Sequence, residues 1–165
     1  MNNFLKKMVD QGFMTEGQGN YIEESIMRKD CLIISGHRGW GILPLMAAAG
    51  AVAKGSFKIK QVKGFEDLKE ETDYFLIADL ADIDYAKLIA DAIKAPNSSF
   101  IGLKDPDHPY SILKILGDVY KADGPTAKVL QVLECAKIND EKKLSKITQI
   151  TMNENGKLAK VDFKE

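Results

Sequence analysis

The sequence predicts an α/β fold, in which a mostly parallel central sheet carries helices on both faces and continues into an antiparallel C-terminal extension. Apolar runs of strand length alternate with segments of helical periodicity between residues 31 and 120. A glycine-rich turn joins the first of these runs to an alanine-rich helix, and three strand-like runs close the chain. We therefore predict one domain of residues 1–165, with N-terminal helices at 1–30, a βα core at 31–120 and C-terminal strands at 121–165.

Composition excludes several classes of protein. The chain has 165 residues, of which 45% are hydrophobic and 28% charged, and a net charge of −1. Such a balance is typical of a soluble globular domain and gives no general attraction to nucleic acid or to an anionic membrane. No apolar run approaches the ~20 residues that span a bilayer, and the N-terminus has no apolar secretory core, so membrane insertion is not expected and a cytoplasmic location is predicted.

The first elements are indicated by helix and strand signals. Residues 3–14 can form an amphipathic helix, and Thr15 with Gln18 makes a capping box for a second helix that extends to about residue 29. The continuous apolar run 31–34 is typical of a strand covered on both faces, as in a parallel sheet.

The middle and the end of the chain continue this pattern. Turn chemistry at 139–141 and 153–156 favours hairpins between the last three strands. Asp79 comes at the end of an apolar run, and ligands of open α/β sheets bind beyond the carboxyl ends of strands. The predicted strands are 57–62, 74–80, 99–103, 127–138, 142–151 and 157–163, and the predicted helices are 83–94 and 110–116.

The turn after the first strand has the frame of a phosphate-binding loop. Gly36, Gly39 and Gly41 match the glycine spacing of the motif G-x-x-x-x-G-K-[ST], where a flexible backbone aims its N–H groups at phosphate oxygens. The lysine of the motif is replaced by Ile42, and its Mg²⁺-binding hydroxyl by Leu43. The same glycines would also suit a tight strand-to-helix turn that binds nothing.

The candidate site residues follow from this frame. Arg38 could contact an anion in place of the lost lysine, and Trp40 could fill the phosphate site, stack on a base or pack against a partner. Asp79 could hold Mg²⁺ through water, or be solvated or paired. His108 is predicted to be a surface loop residue, as is the first histidine of the chain. No catalytic residue and no metal ligand is assigned; the phosphate-loop candidates are Gly36, His37, Arg38, Gly39, Trp40 and Gly41.

With these elements in order, the chain resembles the ATPases of type II and type IV secretion and of pilus assembly, which are RecA-like P-loop NTPases. Its likeness is strongest to the tight-adherence pilus branch. The resemblance covers nearly the whole chain and lies in the segments 8–15, 21–25, 31–36, 74–80, 99–106, 129–138, 146–150 and 155–157.

The resemblance implies a RecA-like P-loop fold whose functional positions are altered. The Walker A lysine and hydroxyl are Ile42 and Leu43, and the Gly-Glu pair that ends the Walker B strand is matched by Ala78 and Asp79. An aspartate is one methylene shorter than the glutamate and orients an attacking water less well. The arginine that follows this glutamate in the family is matched by Ala81.

Further family features are missing. The histidine of the family's histidine box is matched by Lys104, unless His108 substitutes for it, and the segment 62–74 is much shorter than in the family. The resemblance thus implies a pseudo-ATPase that acts as an interaction or regulatory subunit, with the secretion or pilus machinery or a true ATPase subunit as partner, or with self-association into a homo-oligomer. The alternative is a nucleotide-binding or weakly active ATPase. No cofactor is expected, except for ATP or ADP under that alternative.

Overall fold

Helices and strands alternate through most of the chain. The computed structural model describes residues 1–165, and every helix lies within the first 123 of them. The elements are α1 Asn3–Asp10, α2 Glu16–Met27, β1 Cys31–Ser35, α3 Ile42–Ser56, β2 Ile59–Gln61, a 3₁₀ helix Phe65–Lys69, β3 Tyr74–Ile77, α4 Tyr85–Lys94, β4 Ser99–Lys104, α5 Ile112–Asp123, β5 Leu130–Ile138, β6 Glu141–Met152 and β7 Leu158–Asp162.

The seven strands form one sheet in the order β2-β3-β4-β1-β5-β6-β7. The first five strands in this order run parallel to one another, and β6 and β7 extend the sheet as an antiparallel C-terminal hairpin. The predicted mixed α/β architecture is confirmed. One assignment differs, because β5 was expected to belong only to the antiparallel extension but also pairs parallel with β1, in the register Cys31↔Leu130 and Ile34↔Leu133.

Two apolar layers sandwich the sheet. Leu32 and Ile34 of β1 contact the layer that α1, α2 and α3 cover, whereas Cys31 and Ile33 contact the layer under α4 and α5. All four side chains are completely buried, which confirms the prediction of a strand covered on both faces. Burial of each large aliphatic side chain contributes about 1.5–3 kcal/mol.

Local signals explain most of the helix boundaries. The capping box of Thr15 and Gln18 is present, and Thr15 Oγ1 accepts a hydrogen bond of 3.0 Å from the Gln18 amide. Helix α1 ends earlier than the predicted residue 14, since Gly12 adopts a positive φ of 79°. Helix α5 starts at its N-cap Ser111 and runs to Gly124, well beyond the predicted residue 116, because Val119 adds another buried turn.

The C-terminal hairpins follow their turn residues. Asn139 and Asp140, with φ of 52° and 63°, form the two-residue turn between β5 and β6.

The thiols of Cys31 and Cys135 are free and buried, and burial raises the pKa of Cys135 to about 12. None of the helices has both the length and the apolar character needed to cross a membrane.

Candidate functional site

The loops after β1, β3 and β4 meet at one edge of the sheet, because these three parallel strands are neighbours in the order β3-β4-β1. The chain leaves β1 into α3 on one face, and leaves β4 into α5 on the opposite face. Adjacent strands whose helices leave to opposite faces open a crevice at their carboxyl ends, which is the usual ligand site of such sheets. The glycine-rich loop and Asp79, predicted separately, lie together at this edge.

The backbone of the loop requires its glycines for internal reasons. Gly36, Gly39 and Gly41 have φ of 151°, 83° and 96°. A Cβ on Gly36 would lie 2.8 Å from the carbonyl oxygen of Cys135, and one on Gly41 would lie 2.5 Å from Cε1 of Phe13. Close packing within the chain is therefore sufficient to account for two of the three glycines.

The N-terminus of α3 retains the donors that a phosphate loop uses. Gly41 is the N-cap and makes no side-chain hydrogen bond, and the amides of Ile42 and Leu43 donate to no acceptor in the chain. Pro44 has no N–H, so it costs this first turn nothing. The positive end of a 15-residue helix is thus available to an anion or to water.

The side chain at the lysine position of the motif is part of the hydrophobic core. Ile42 is completely buried and contacts the layer beneath α3. Its Cγ2 lies 3.3 Å from the position that a Cβ on Gly36 would take, so the side chain folds back against the start of the loop. Leu43, by contrast, is 44% exposed. The loop therefore carries an apolar side chain where the motif has a cation.

Arg38 is engaged by carboxylates from two other loops. Its Nη2 lies 2.6 Å from Oδ2 of Asp79, and its Nε lies 3.6 Å from Asp105 and 3.5 Å from Asp107. The hydrogen bond from Arg38 lowers the pKa of Asp79, and the same bond raises the pKa of the guanidinium. Of the two roles considered for Asp79, the structure shows the paired one, and Arg38 faces three carboxylates in place of an open anion site.

Asp105 is a site residue that the sequence analysis missed. Its side chain is completely buried, and Oδ1 accepts hydrogen bonds from the amides of Asp107 and His108. Oδ2 has no hydrogen-bond partner, and Arg38 Nε lies 3.6 Å from it. The pattern Asp-Pro-Asp that starts this turn is a typical signal for such an aspartate, whose oxygen caps the following amides. Asp105 thereby connects the turn after β4 with the loop after β1.

His108 is buried, with 7% of its surface exposed, so the prediction of a surface residue is wrong. Its Nδ1 lies 2.8 Å from Oδ1 of Asp105, and its Nε2 lies 2.9 Å from the carbonyl oxygen of Leu80. A carbonyl and an ionised carboxylate only accept hydrogen bonds, so this arrangement favours the imidazolium form of the ring, in which both nitrogens carry protons. Turn composition suggested exposure, but this turn folds back beneath the loop that follows β3.

We expect the protein to lose stability as the pH rises, because of His108. Burial lowers the pKa of the ring, but its hydrogen bonds to Leu80 and Asp105 and the charges of Asp105 and Asp79 outweigh burial and raise it above 6.5. The stabilisation is complete below the ordinary pKa and is lost as the pH rises through the raised one. Urea denaturation at a series of pH values should show this loss, and His108→Gln should flatten it. An equally steep loss in the variant would contradict the assignment.

Trp40 and His37 cover the outside of the loop. Trp40 is partly buried and packs against the same core layer as Ile42, and its ring centre lies 4.3 Å from that of His37. His37 is exposed, as predicted. These contacts lie within the chain, and the three roles considered for Trp40 stay predictions.

No group of three or more His, Cys, Asp or Glu side chains is arranged to hold a metal ion. The groups at this edge that could contact a ligand are the free amides at the start of α3 and the charged side chains of the Arg38 cluster. No known family model matches this chain, and no curated protein matches it significantly.

Proposed function

We propose that this protein is a non-catalytic relative of the secretion and pilus-assembly ATPases, with a degenerate RecA-like P-loop fold and a role as an interaction or regulatory subunit. The mixed sheet supports the fold, since its glycine-rich loop joins a central parallel strand to a helix, as in P-loop proteins. The partner under this proposal is the assembly machinery itself or a true ATPase subunit.

The proposal depends mainly on one observation: the glycine-rich loop has no free positive side chain for a phosphate. A phosphate loop needs a positive side chain for the β- and γ-phosphates, and Mg²⁺ bound through a hydroxyl. Here Ile42 is buried in the core, Leu43 has no hydroxyl, and the guanidinium of Arg38 is paired with Asp79. Asp105 and Asp107 add negative charge beside it, which opposes the approach of a triphosphate.

One observation favours the second candidate, a protein that still binds nucleotide. The amides of Ile42 and Leu43 are free at the N-terminus of α3, and such a terminus attracts phosphate without any lysine. Under this alternative Arg38 leaves Asp79 to contact the ligand. The two candidates therefore differ in whether nucleotide binds, which is directly measurable.

Calorimetry with ATP, ADP and Mg²⁺ tests the proposal, and we expect no heat of binding. Trp40, the only tryptophan, reports on the same loop, and millimolar nucleotide should leave its emission unchanged. Saturable heat together with an emission change, both lost in Arg38→Ala, would overturn the proposal in favour of nucleotide binding.

ATP hydrolysis is expected to equal that of a buffer blank. Without the lysine and the hydroxyl, the transition state loses charge stabilisation worth several kcal/mol, which is several orders of magnitude in rate. Asp79→Asn serves as the control, since it removes the sole carboxylate that matches the Walker B position. Turnover in the natural protein that this variant abolishes would identify an active ATPase.

A further inference from the structure

The sheet leaves part of one face uncovered. On the side of α4 and α5, a groove of about 1190 Å³ lies between the start of α5 and the open face of the last strands. The floor of the groove includes a row of residues that lie opposite one another in neighbouring strands. Ser35 lies opposite both Lys104 and Glu134, and Glu134 lies opposite Lys146 in the neighbouring strand. Residues opposite each other in adjacent strands share a face, so this row crosses four strands.

The groove carries an excess of positive charge. Its lysines outnumber its carboxylates by two, and only Lys146 is paired, with Asp162 at 3.7 Å. The other three lysines make no ion pair. Helix α5 begins beside them, and the partial positive charge of its N-terminus adds to theirs. The charged residues of the groove are Lys104, Lys146, Lys160, Lys164, Glu134 and Asp162.

The groove also offers apolar contacts. Leu113, in the first turn of α5, is 39% exposed, although it is a large aliphatic side chain. Val132 is half-buried, and Ile150 is buried in the floor beside Lys160. Apolar side chains next to unpaired lysines suit a ligand that carries both carboxylates and aliphatic groups.

We propose that this groove binds an acidic, leucine-containing peptide segment of a partner protein in an extended conformation. Carboxylates of the segment pair with Lys104, Lys160 and Lys164, and an aliphatic side chain packs against Leu113. The proposal rests on the non-catalytic interaction role given above and specifies the surface that performs it. No residue of the Arg38 cluster lines the groove, but the two adjoin, since Lys104 and Pro109 of the groove flank the turn of Asp105 and His108.

Two other occupants fit less well. Nucleic acid is disfavoured because the groove has no arginine and its one aromatic ring, Tyr110, is buried. A second copy of this chain is disfavoured because four of the five carboxylates in its most acidic segment, 66–73, already form ion pairs with lysines of the same chain. Asp67 and Glu70 pair with Lys60 of the same chain.

Fluorescence anisotropy with a labelled peptide of about ten residues, in which glutamates alternate with leucines, tests the proposal. We expect saturable binding that the double variant Lys160→Glu/Lys164→Glu weakens by about tenfold or more, since each substitution replaces an attraction by a repulsion. Leu113→Asp should weaken binding as well. Both lysines are exposed, and a thermal melt verifies that the double variant is folded.

The matched control is Lys6→Glu/Lys54→Glu, which changes the net charge equally but lies on the helices that cover the opposite face. It should leave the affinity within about twofold, because exposed charges beyond about 10 Å are screened by salt. Equal weakening in both double variants, or equal binding of a peptide with glutamines for glutamates, would overturn the proposal.

Two further results would also overturn it. These are tighter binding of a single-stranded DNA oligonucleotide than of the peptide, and self-association in sedimentation that the Lys160/Lys164 variant abolishes. Different results would contradict the non-catalytic role and the peptide-binding groove. Absence of peptide binding would leave the absence of nucleotide binding intact. Nucleotide binding at Gly36–Gly41 would contradict the non-catalytic role, and peptide affinity measured without nucleotide would still test the groove.

Discussion

Replacing Ile42 by lysine, the residue that the phosphate-loop motif has at this position, is expected to destabilise the protein strongly without restoring nucleotide binding. Ile42 is completely buried and packs in the layer under α3. The variant removes an aliphatic side chain from this layer and brings an ammonium group towards it. A buried charge without a partner costs about 3–5 kcal/mol, which is a large share of the roughly 5–15 kcal/mol by which a typical domain is stable.

Leu43→Lys is the matched control, because the neighbouring side chain is 44% exposed. It introduces the same charge one residue later and should change the free energy of unfolding by no more than about 0.5 kcal/mol. Urea denaturation measures both variants, and calorimetry with ATP follows for whichever is folded. A stable Ile42→Lys protein that binds ATP would show that the loop is a functional phosphate site lacking only its lysine.

Substitution of Gly41 by alanine is expected to destabilise the protein by about 3 kcal/mol, the sum of two costs. The φ of 96° is unfavourable for any residue with a Cβ, and the new methyl group would lie 2.5 Å from Cε1 of Phe13. Phe13 is itself buried at 6% exposure, so its ring has little room to move.

Gly39→Ala separates the two costs. Gly39 also has a positive φ, of 83°, but nothing lies within 4 Å of the position that its Cβ would take. This variant bears the backbone cost alone, about 1–2 kcal/mol. Equal losses of stability in the two variants, measured by urea denaturation, would mean that the contact with Phe13 contributes nothing. A larger loss for Gly41→Ala would show that packing is enough to require this glycine, whether or not a phosphate binds.

The local features of this protein could be predicted from the sequence. Neighbouring residues were enough to predict four of them. These are the capping box of Thr15, the strand 31–34 buried on both faces, the hairpin turn at Asn139 and the positive φ at the glycines of the loop. Each depends on backbone preferences or on a periodicity that a few residues contain, so no knowledge of the sheet order was needed.

The character of the candidate site was decided by tertiary structure. Arg38, Asp79 and Asp105 meet only because β3, β4 and β1 are neighbours in the sheet, although β1 and β3 are far apart in sequence. The same meeting buries His108 and places each of its ring nitrogens against an oxygen acceptor, which turn composition could not reveal. Pairing between distant strands depends on long-range packing, and a sequence pattern that repeats every two to four residues carries no information about it.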